Sequence, residues 1–153
     1  MSREYTAYLA GAMTGVSEEQ SREWRKRIKD AFYQLGSPYQ CFDPWDHFSF
    51  NDPEYDPKES LKIDLWNLKR SNVMIVELAL NPGSLGTMAE LSIAYDHNIP
   101  IIGLYNSERE LHEWQYNMVD KFFDFKAAAD NGANIYTDVA CYVSSHYRRS
   151  SFG

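Results

Sequence analysis

The sequence predicts an α/β protein, a three-layer sandwich in which helices cover both faces of a central, mostly parallel five-stranded sheet. Two observations predict this class. Short apolar segments alternate along the chain with longer segments of helical periodicity, and turn residues separate them. The chain has 153 residues, which is enough for one domain (1-153) that buries a core without disulfides or metals.

The first β-turn-α unit occupies the first 36 residues. An apolar run at residues 5–10 predicts a buried strand, and residues 11–15 predict a turn. Ser17 and Gln20 form a capping-box pattern that predicts the start of a helix. Gly36 predicts the end of that helix, because glycine readily adopts the left-handed conformation that closes helices.

A long loop separates the second strand from the next helix. Residues 39–42 predict the strand, and the following residues up to 57 are rich in proline, aspartate and aromatic rings. A structureless loop of this length in a compact domain is usually functional or mobile. We therefore expect its rings to cover a ligand.

The rest of the chain continues the alternation of helix and strand. In order, the sequence predicts a helix at 58–70, a strand at 72–78, a turn at 82–86, a helix at 87–97, a strand at 99–105, a helix or helix pair at 108–125, a short strand at 134–136 and a terminal helix at 138–148.

Composition excludes several functions. The net charge of −7 argues against a nucleic acid polymer as partner, since such binding relies on clustered cations. No apolar run approaches 18 residues, so no membrane span is expected. Cys41 and Cys141 form no CxxC pattern and the four histidines show no ligand spacing, so we expect no metal site. No signal peptide is recognisable, and a reduced, cytoplasmic protein is expected.

Polar residues follow the strands at the edge where ligands bind in parallel sheets. Those expected at this edge are Tyr8, Thr14, Asp43, Ser84 and Glu90. Asp64 precedes its strand, so it reaches the site only if its helix lies across the top of the sheet.

Simpler interpretations of these residues stay open at this stage. Glu90 lies three residues after Thr87 and is equally explained as a capping-box partner or as a carboxylate favoured by the helix dipole. Ser84 is also explained as a residue that caps the turn, and Gly86 as a glycine that permits a positive φ there. Asp64, on a helix striped with leucine, is most simply a solvated residue.

Three segments in order resemble the nucleoside 2-deoxyribosyltransferase superfamily. They are Tyr8-Leu-Ala-Gly11, Asp64-Leu65, and the run from Ser84 to Ala94. Asp64 and Glu90 are also spaced as that family spaces its base-side aspartate and its nucleophilic glutamate. The resemblance implies a flavodoxin-like/Rossmann-like fold and cleavage of an N-glycosidic bond without a cofactor.

The resemblance also implies roles for three residues. Glu90 corresponds to the nucleophile that attacks the anomeric carbon and forms a covalent glycosyl-enzyme. Asp64 corresponds to the residue that helps the base depart, by protonation or hydrogen bonding. Tyr8 corresponds to the residue that holds Glu90 and crowds the 2′ side of the sugar, which suits deoxyribose.

Ser84 favours one branch of this superfamily. It lies six residues before Glu90, where transferases for free nucleosides carry an acidic residue and the 2′-deoxynucleoside 5′-phosphate N-hydrolases carry serine. A carboxylate repels a phosphate, whereas a hydroxyl donates a hydrogen bond to it. The sequence therefore favours a nucleoside monophosphate as substrate and water as acceptor. The expected substrate-binding residues are Gly11, Thr14, Asp43, Ser84, Gly86 and Asn117.

One feature of the sequence departs from that branch, and another concerns a residue that a neighbouring chain would contribute. The hydrolases carry basic residues after the first strand, whereas this chain has Thr14 between Ala12 and Gly15. Members of the superfamily form homodimers or larger homo-oligomers in which a neighbour completes the site, and Asn117 stands near the corresponding position.

Two other functions remain alternatives to hydrolysis. One is a deoxyribosyltransferase that exchanges bases between deoxynucleosides. The other is a non-catalytic nucleotide-binding module that keeps the fold. The sequence does not identify the base.

Overall fold

The computed structural model describes residues 4–47 and 52–149, in which five strands form one sheet. The strands are β1 (Tyr5–Gly11), β2 (Tyr39–Phe42), β3 (Val73–Glu77), β4 (Ile101–Tyr105) and β5 (Lys121–Asp124). Their order across the sheet is β2-β1-β3-β4-β5, and every neighbouring pair is parallel. The predicted α/β fold is therefore confirmed, and its strand order is the flavodoxin-like one.

Six helices connect and cover these strands within the described residues. They are α1 (Glu18–Leu35), α2 (Pro57–Lys69), α3 (Leu85–Asp96), α4 (Glu113–Met118), α5 (Phe125–Asn131) and α6 (Ile135–His146). A short 3₁₀ turn, Pro44–Asp46, follows β2. None of the helices in these residues is long and apolar enough to cross a membrane.

Successive strand residues point to opposite faces of the sheet and so belong to two separate cores. Leu9 and Ile75 pack against α1 and α6, together with Phe32. Tyr8 and Met74, one position earlier on the same strands, pack in the second core with residues of α2, α3 and α4. Both faces are buried, which explains the continuous apolar runs of these strands.

The predicted boundaries of the first helix are confirmed. Ser17 accepts a hydrogen bond from the backbone N–H of Gln20 at 3.0 Å, and the side chain of Gln20 accepts one from the N–H of Ser17 at 3.4 Å. Gly36 ends the helix at φ +65°, a conformation that costs glycine little.

The predicted last strand was wrong. The fifth strand is Lys121–Asp124, inside the segment predicted as helix, and that segment's helix, α4, ends at Met118. Residues 134–136 open α6, because the Asn134 side chain accepts hydrogen bonds from the N–H groups of Tyr136 and Thr137 and caps the helix.

The reason for this error is that β5 is an edge strand. Its residues are half-buried or exposed, so they lack the apolar pattern that marks the central strands. Pairing with β4 holds it, and Ile102 lies opposite Lys121 in the ladder. The carboxylate of Asp120 adds a bond by accepting from the N–H of Ile101 at 2.8 Å.

Candidate active site

A cavity of about 240 Å³ lies between α2 and α3 and brings two of the predicted residues together. Asp64 on α2 and Glu90 on α3 both line it, as do Tyr55 and Gly86. Helix α2 packs beside α3 on the same face of the sheet. Asp64 therefore reaches the cavity of Glu90 through the packing of α2 beside α3. Residues 48–51 of the aromatic loop lie outside the described residues.

Glu90 does not cap its helix. Ser84 is the N-cap of α3, and its side chain accepts from the N–H of Thr87 at 3.4 Å and from the hydroxyl of Thr87 at 3.0 Å. Because α3 begins at Leu85, Glu90 falls in the second turn. The capping-box interpretation of Glu90 is excluded, since Ser84 occupies the capping position.

Tyr8 holds the Glu90 carboxylate. Its side chain is fully buried on β1, and its hydroxyl donates a hydrogen bond to Oε2 of Glu90. The Tyr8 ring stacks on Phe42 with ring centres 5.4 Å apart, and Phe42 stacks on His47 at 5.0 Å. This column of rings fixes the direction from which the hydroxyl approaches the carboxylate.

The cavity raises the pKa values of both carboxyl groups. Burial raises the pKa of Glu90 to about 7, against the opposing effects of the Tyr8 hydrogen bond and the Arg25 charge. Burial raises the pKa of Asp64 to about 6, and the charges of His47 and Arg25 act against this. Burial and the neighbouring Glu90 also raise the pKa of Tyr8, so its hydroxyl stays a donor.

Two carboxyl groups that titrate near neutrality in one cavity suit acid–base and nucleophilic chemistry. One can act while ionised and the other while protonated. In addition, Oδ1 of Asp64 is buried and has no hydrogen-bond partner among the described residues. A buried polar atom of this kind is satisfied by a polar group of a ligand or by water.

The turn before α3 leaves space beside Glu90. A Cβ at Gly86, which lines the cavity, would meet no protein atom within 4 Å, so the space beside this residue is open. Ser84 is buried beneath the turn. The N-terminus of α3 therefore adjoins the cavity with no carboxylate in its first turn.

The turn after β1 packs against the turn after β3. The amide Nδ2 of Asn81 donates to the backbone carbonyl of Thr14 at 3.3 Å, and Thr14 itself is exposed. Gly11 is required by packing, because a Cβ there would lie 2.8 Å from Cζ2 of Trp24. The predicted Gly11 and Thr14 thus lie at the carboxyl end of the sheet.

Asp43 and Asn117 do not line this cavity. Asp43 is 3% exposed, and its two carboxylate oxygens lie 3.2 Å from Arg25 and 2.8 Å from Lys29. Both carboxylate oxygens of Asp43 are therefore engaged in ion pairs, and its role in substrate binding stays a prediction. Asn117 is exposed on α4, where its amide donates to the carbonyl of Glu113 at 2.8 Å.

Sequence reasoning missed two buried charged residues near the sheet's carboxyl edge. Arg25 lies three residues before Ile28 on the buried face of α1, and that position in an apolar stripe could have identified it. Glu77 ends a strand of which every residue is buried. Glu77 also lines a separate, larger cavity of about 400 Å³, together with Trp24 and Arg109, which contains none of the predicted site residues.

In residues 4–47 and 52–149, no group of three or more histidine, cysteine, aspartate or glutamate side chains is arranged to hold a metal ion. Cys41 and Cys141 form no disulfide with each other.

Comparison with known proteins gives a family match over most of the chain. The family profile described as nucleoside 2-deoxyribosyltransferase matches residues 7–139, a range that includes Tyr8, Asp64 and Glu90. No curated protein gives a significant sequence match.

Several solved structures share the fold at low sequence identity. A 2-desoxiribosyltransferase from Leishmania mexicana is 14% identical, with a TM-score of 0.65 over 94% of this chain and 99% of its own. A 2-deoxyribosyltransferase from Bacillus psychrosaccharolyticus is 20% identical, with a TM-score of 0.64 over 82% of this chain and 90% of its own. A CMP N-glycosidase from Clostridium botulinum is 14% identical, with a TM-score of 0.58 over 90% and 98%.

Proposed function

Because the chain belongs to the nucleoside 2-deoxyribosyltransferase family, and so is an enzyme of the deoxyribosyltransferase or N-glycosidase type, we propose that it hydrolyses the N-glycosidic bond of a nucleoside 5′-monophosphate. The products are a free base and a sugar phosphate. The observation that carries this proposal is the hydrogen bond from Tyr8 to Glu90 beside a cavity that Glu90 shares with Asp64.

Glu90 acts as the nucleophile. Its ionised carboxylate attacks the anomeric carbon, the bond from that carbon to the base nitrogen breaks, and the bonding electrons leave with the base. The resulting glycosyl ester is then hydrolysed by water, which returns Glu90 and releases the sugar phosphate. The Tyr8 hydroxyl orients the carboxylate throughout, since its hydrogen bond fixes one of the two oxygens.

Asp64 assists the departure of the base. Asp64 lines the cavity, and its buried Oδ1 has no hydrogen-bond partner in the described residues, so the carboxyl group is available to a base bound there. With its pKa raised to about 6, a protonated fraction of Asp64 is available near neutrality to donate to the leaving base.

Base release is expected to follow a bell-shaped pH profile between roughly pH 6 and 7. Activity needs Glu90 ionised and Asp64 protonated. With pKa values of about 7 and 6 this is the minor form of the pair, and its fraction is greatest between those two values. Asp64→Asn is expected to lose the alkaline limb and to slow base release by about 10²–10⁴-fold. A pH profile measured on both proteins checks this. An alkaline limb that survives in Asp64→Asn would assign it to another group.

The 5′-phosphate is proposed to lie at the turn before α3. This turn presents the first backbone N–H groups of a helix, which favour anions. It carries Ser84 in place of a carboxylate, and Thr14 lies at the adjoining turn. Residues 12–16, after β1, include no basic side chain, and Arg25 is buried in its ion pair with Asp43.

A substitution at Ser84 tests the phosphate site without removing the helix cap, since aspartate caps helices as well as serine does. Ser84→Asp is expected to reduce turnover of monophosphates by about tenfold or more, through charge repulsion, and to spare unphosphorylated nucleosides. Ser17→Asp makes the same change at the N-cap of α1 and is the matched control. Equal losses on both substrate classes in Ser84→Asp would contradict a phosphate at this turn.

A panel of nucleosides and nucleoside monophosphates, ribo and deoxy, tests the overall proposal. Chromatography of the products is expected to show free base released from monophosphates. Release from unphosphorylated nucleosides alone would overturn the monophosphate assignment, and the panel also identifies the base.

Base exchange is the second candidate, favoured by two of the similar structures, which are described as deoxyribosyltransferases. A labelled free base added to the reaction distinguishes the two. Its incorporation into a new nucleoside would show transfer, whereas its recovery unchanged beside released base supports hydrolysis.

We also propose that this single domain acts in the cytoplasm as a homodimer or larger homo-oligomer. Asn117 is exposed on α4 beside exposed aromatic side chains, Trp114 and Tyr116, as a residue offered to a neighbouring copy would be. Sedimentation velocity measures the assembly state, and a monomer at the concentrations used for activity would contradict the proposal.

A further inference from the structure

Arg25 is a buried cation that joins the ends of two strands. It lies on α1 with 1% of its surface exposed. Its Nη1 donates to the carbonyl of Leu9 at 2.9 Å and to the Asp43 carboxylate at 3.2 Å, and its Nη2 donates to the carbonyl of Gly11 at 2.9 Å. Its Nε donates to the carbonyl of Ser21 at 3.1 Å.

These hydrogen bonds replace a missing stretch of β-sheet. The pairing of β1 with β2 stops at Tyr8 and Phe42. Alternate carbonyls of a strand point to opposite neighbours, and that of Thr6 accepts from Asn72 on the β3 side. The carbonyls of Leu9 and Gly11 therefore face the side where β2 has ended. The guanidinium supplies the donors that a longer β2 would have supplied.

This link fixes the geometry around Tyr8. Leu9 directly follows Tyr8, and Asp43 directly follows Phe42, the residue on which the Tyr8 ring stacks. Arg25 thus ties both sides of the stacked pair to one planar group. Movement of either strand end would move the Tyr8 hydroxyl relative to Glu90.

The charge of Arg25 also acts on Glu90. Arg25 lowers the pKa of Glu90, as does the hydrogen bond from Tyr8 on β1, whereas burial and Asp64 on α2 raise it. The charge of His47 lowers the pKa of Asp64. Burial lowers the pKa of Arg25 itself, yet a guanidinium paired with Asp43 stays protonated.

We propose that Arg25 is a positioning residue for the reaction: it holds the end of β1 so that Tyr8 meets Glu90, and its positive charge favours the ionised form of the Glu90 carboxylate. Only the expected change in kcat rests on the proposed function. The two contributions are separable, because lysine keeps the charge but cannot bridge the carbonyls of Leu9 and Gly11 in the same plane.

Two variants test the two contributions. In Arg25→Gln the titration midpoint of Glu90, followed by NMR of its ¹³C-labelled carboxyl group, is expected to rise by about one pH unit, and the acid limb of base release should move with it. In Arg25→Lys the midpoint is expected to stay within about 0.3 unit while kcat falls by about tenfold or more. Lys29→Gln removes the other cation on Asp43 and is expected to change neither quantity.

The outcomes decide the proposal in each case. A folded Arg25→Gln protein with an unchanged Glu90 midpoint would overturn the electrostatic role, and a wild-type kcat in Arg25→Lys would overturn the positioning role. Near-UV circular dichroism checks folding, and if Arg25→Gln does not fold, Arg25→Lys decides the positioning role, which is the main part of the proposal. If the wild-type protein releases no base from any nucleotide, the proposed function fails while the NMR titration still tests the link between Arg25 and Glu90.

Discussion

Replacing Glu90 with glutamine is expected to lower the rate of base release at least about a thousandfold. The amide matches the carboxylate in size but cannot form the glycosyl ester, so the covalent route is lost. Its oxygen can still accept the hydrogen bond from Tyr8, and we expect the fold to be retained.

Intact mass measurement of a quenched reaction complements the rate. The wild-type protein is expected to carry the mass of the sugar phosphate, and Glu90→Gln is expected to carry none. Asp96→Asn is the matched control, because it removes an exposed carboxylate from the last turn of the same helix. Activity of Glu90→Gln within about tenfold of wild type would assign the nucleophile elsewhere.

Replacing Tyr8 with phenylalanine is expected to move the acid limb of the pH profile upward by roughly one to two units. The sign follows from the hydrogen bond, which lowers the pKa of Glu90 against the effect of burial. A hydrogen bond to a charged group contributes about 1.5–3 kcal/mol, and each pH unit corresponds to about 1.4 kcal/mol. At the new optimum kcat should still be reduced by about tenfold or more, since Glu90 loses its orientation.

Profiles of base release measured from about pH 5 to pH 9 check this expectation. Tyr95→Phe removes a hydroxyl from an exposed tyrosine on α3 and should leave the profile unchanged. A Tyr8→Phe profile that coincides with the wild-type profile would show that the hydroxyl does not control the charge of Glu90.

Together with the substitutions of Arg25 and Asp64, the Tyr8 variant separates three influences on one carboxylate. Tyr8 contributes a hydrogen bond, Arg25 a buried positive charge, and Asp64 a negative charge across the cavity. Each influence comes from a different element of the fold. The reactivity proposed for Glu90 is therefore a property of the assembled site and not of α3.

Local sequence signals predicted those parts of the fold that are stabilised locally. The capping box at Ser17 and the stop at Gly36 are contacts between near neighbours, and the continuous apolar run of β3 marks a strand that is buried on both faces. The strand β5 has no such signal, because pairing with β4 holds its residues in place. Asn134 does carry a local signal, because its side chain caps α6, but the sequence predicts a short strand at 134–136.

Some site residues could be predicted from the chain, and others depended on packing between distant segments. Spacing and residue type identified Glu90, Asp64 and Ser84 as candidates. Asp43 was predicted to bind substrate, but the structure pairs it with Arg25 and Lys29, which are 18 and 14 positions away. No local pattern shows which carboxylate meets a buried cation, because that depends on how α1 packs on the sheet.

The sequence by itself determined the α/β class, most of the helices and strands and the residue types of the candidate site, since periodicity, caps and turn residues act over a few positions. Only the tertiary structure decided that α2 brings Asp64 to the cavity of Glu90 and that Tyr8 donates to Glu90. The physical reason is that these contacts join segments distant in the chain, and that the burial which raises the pKa values of both carboxyl groups arises only when the layers pack together.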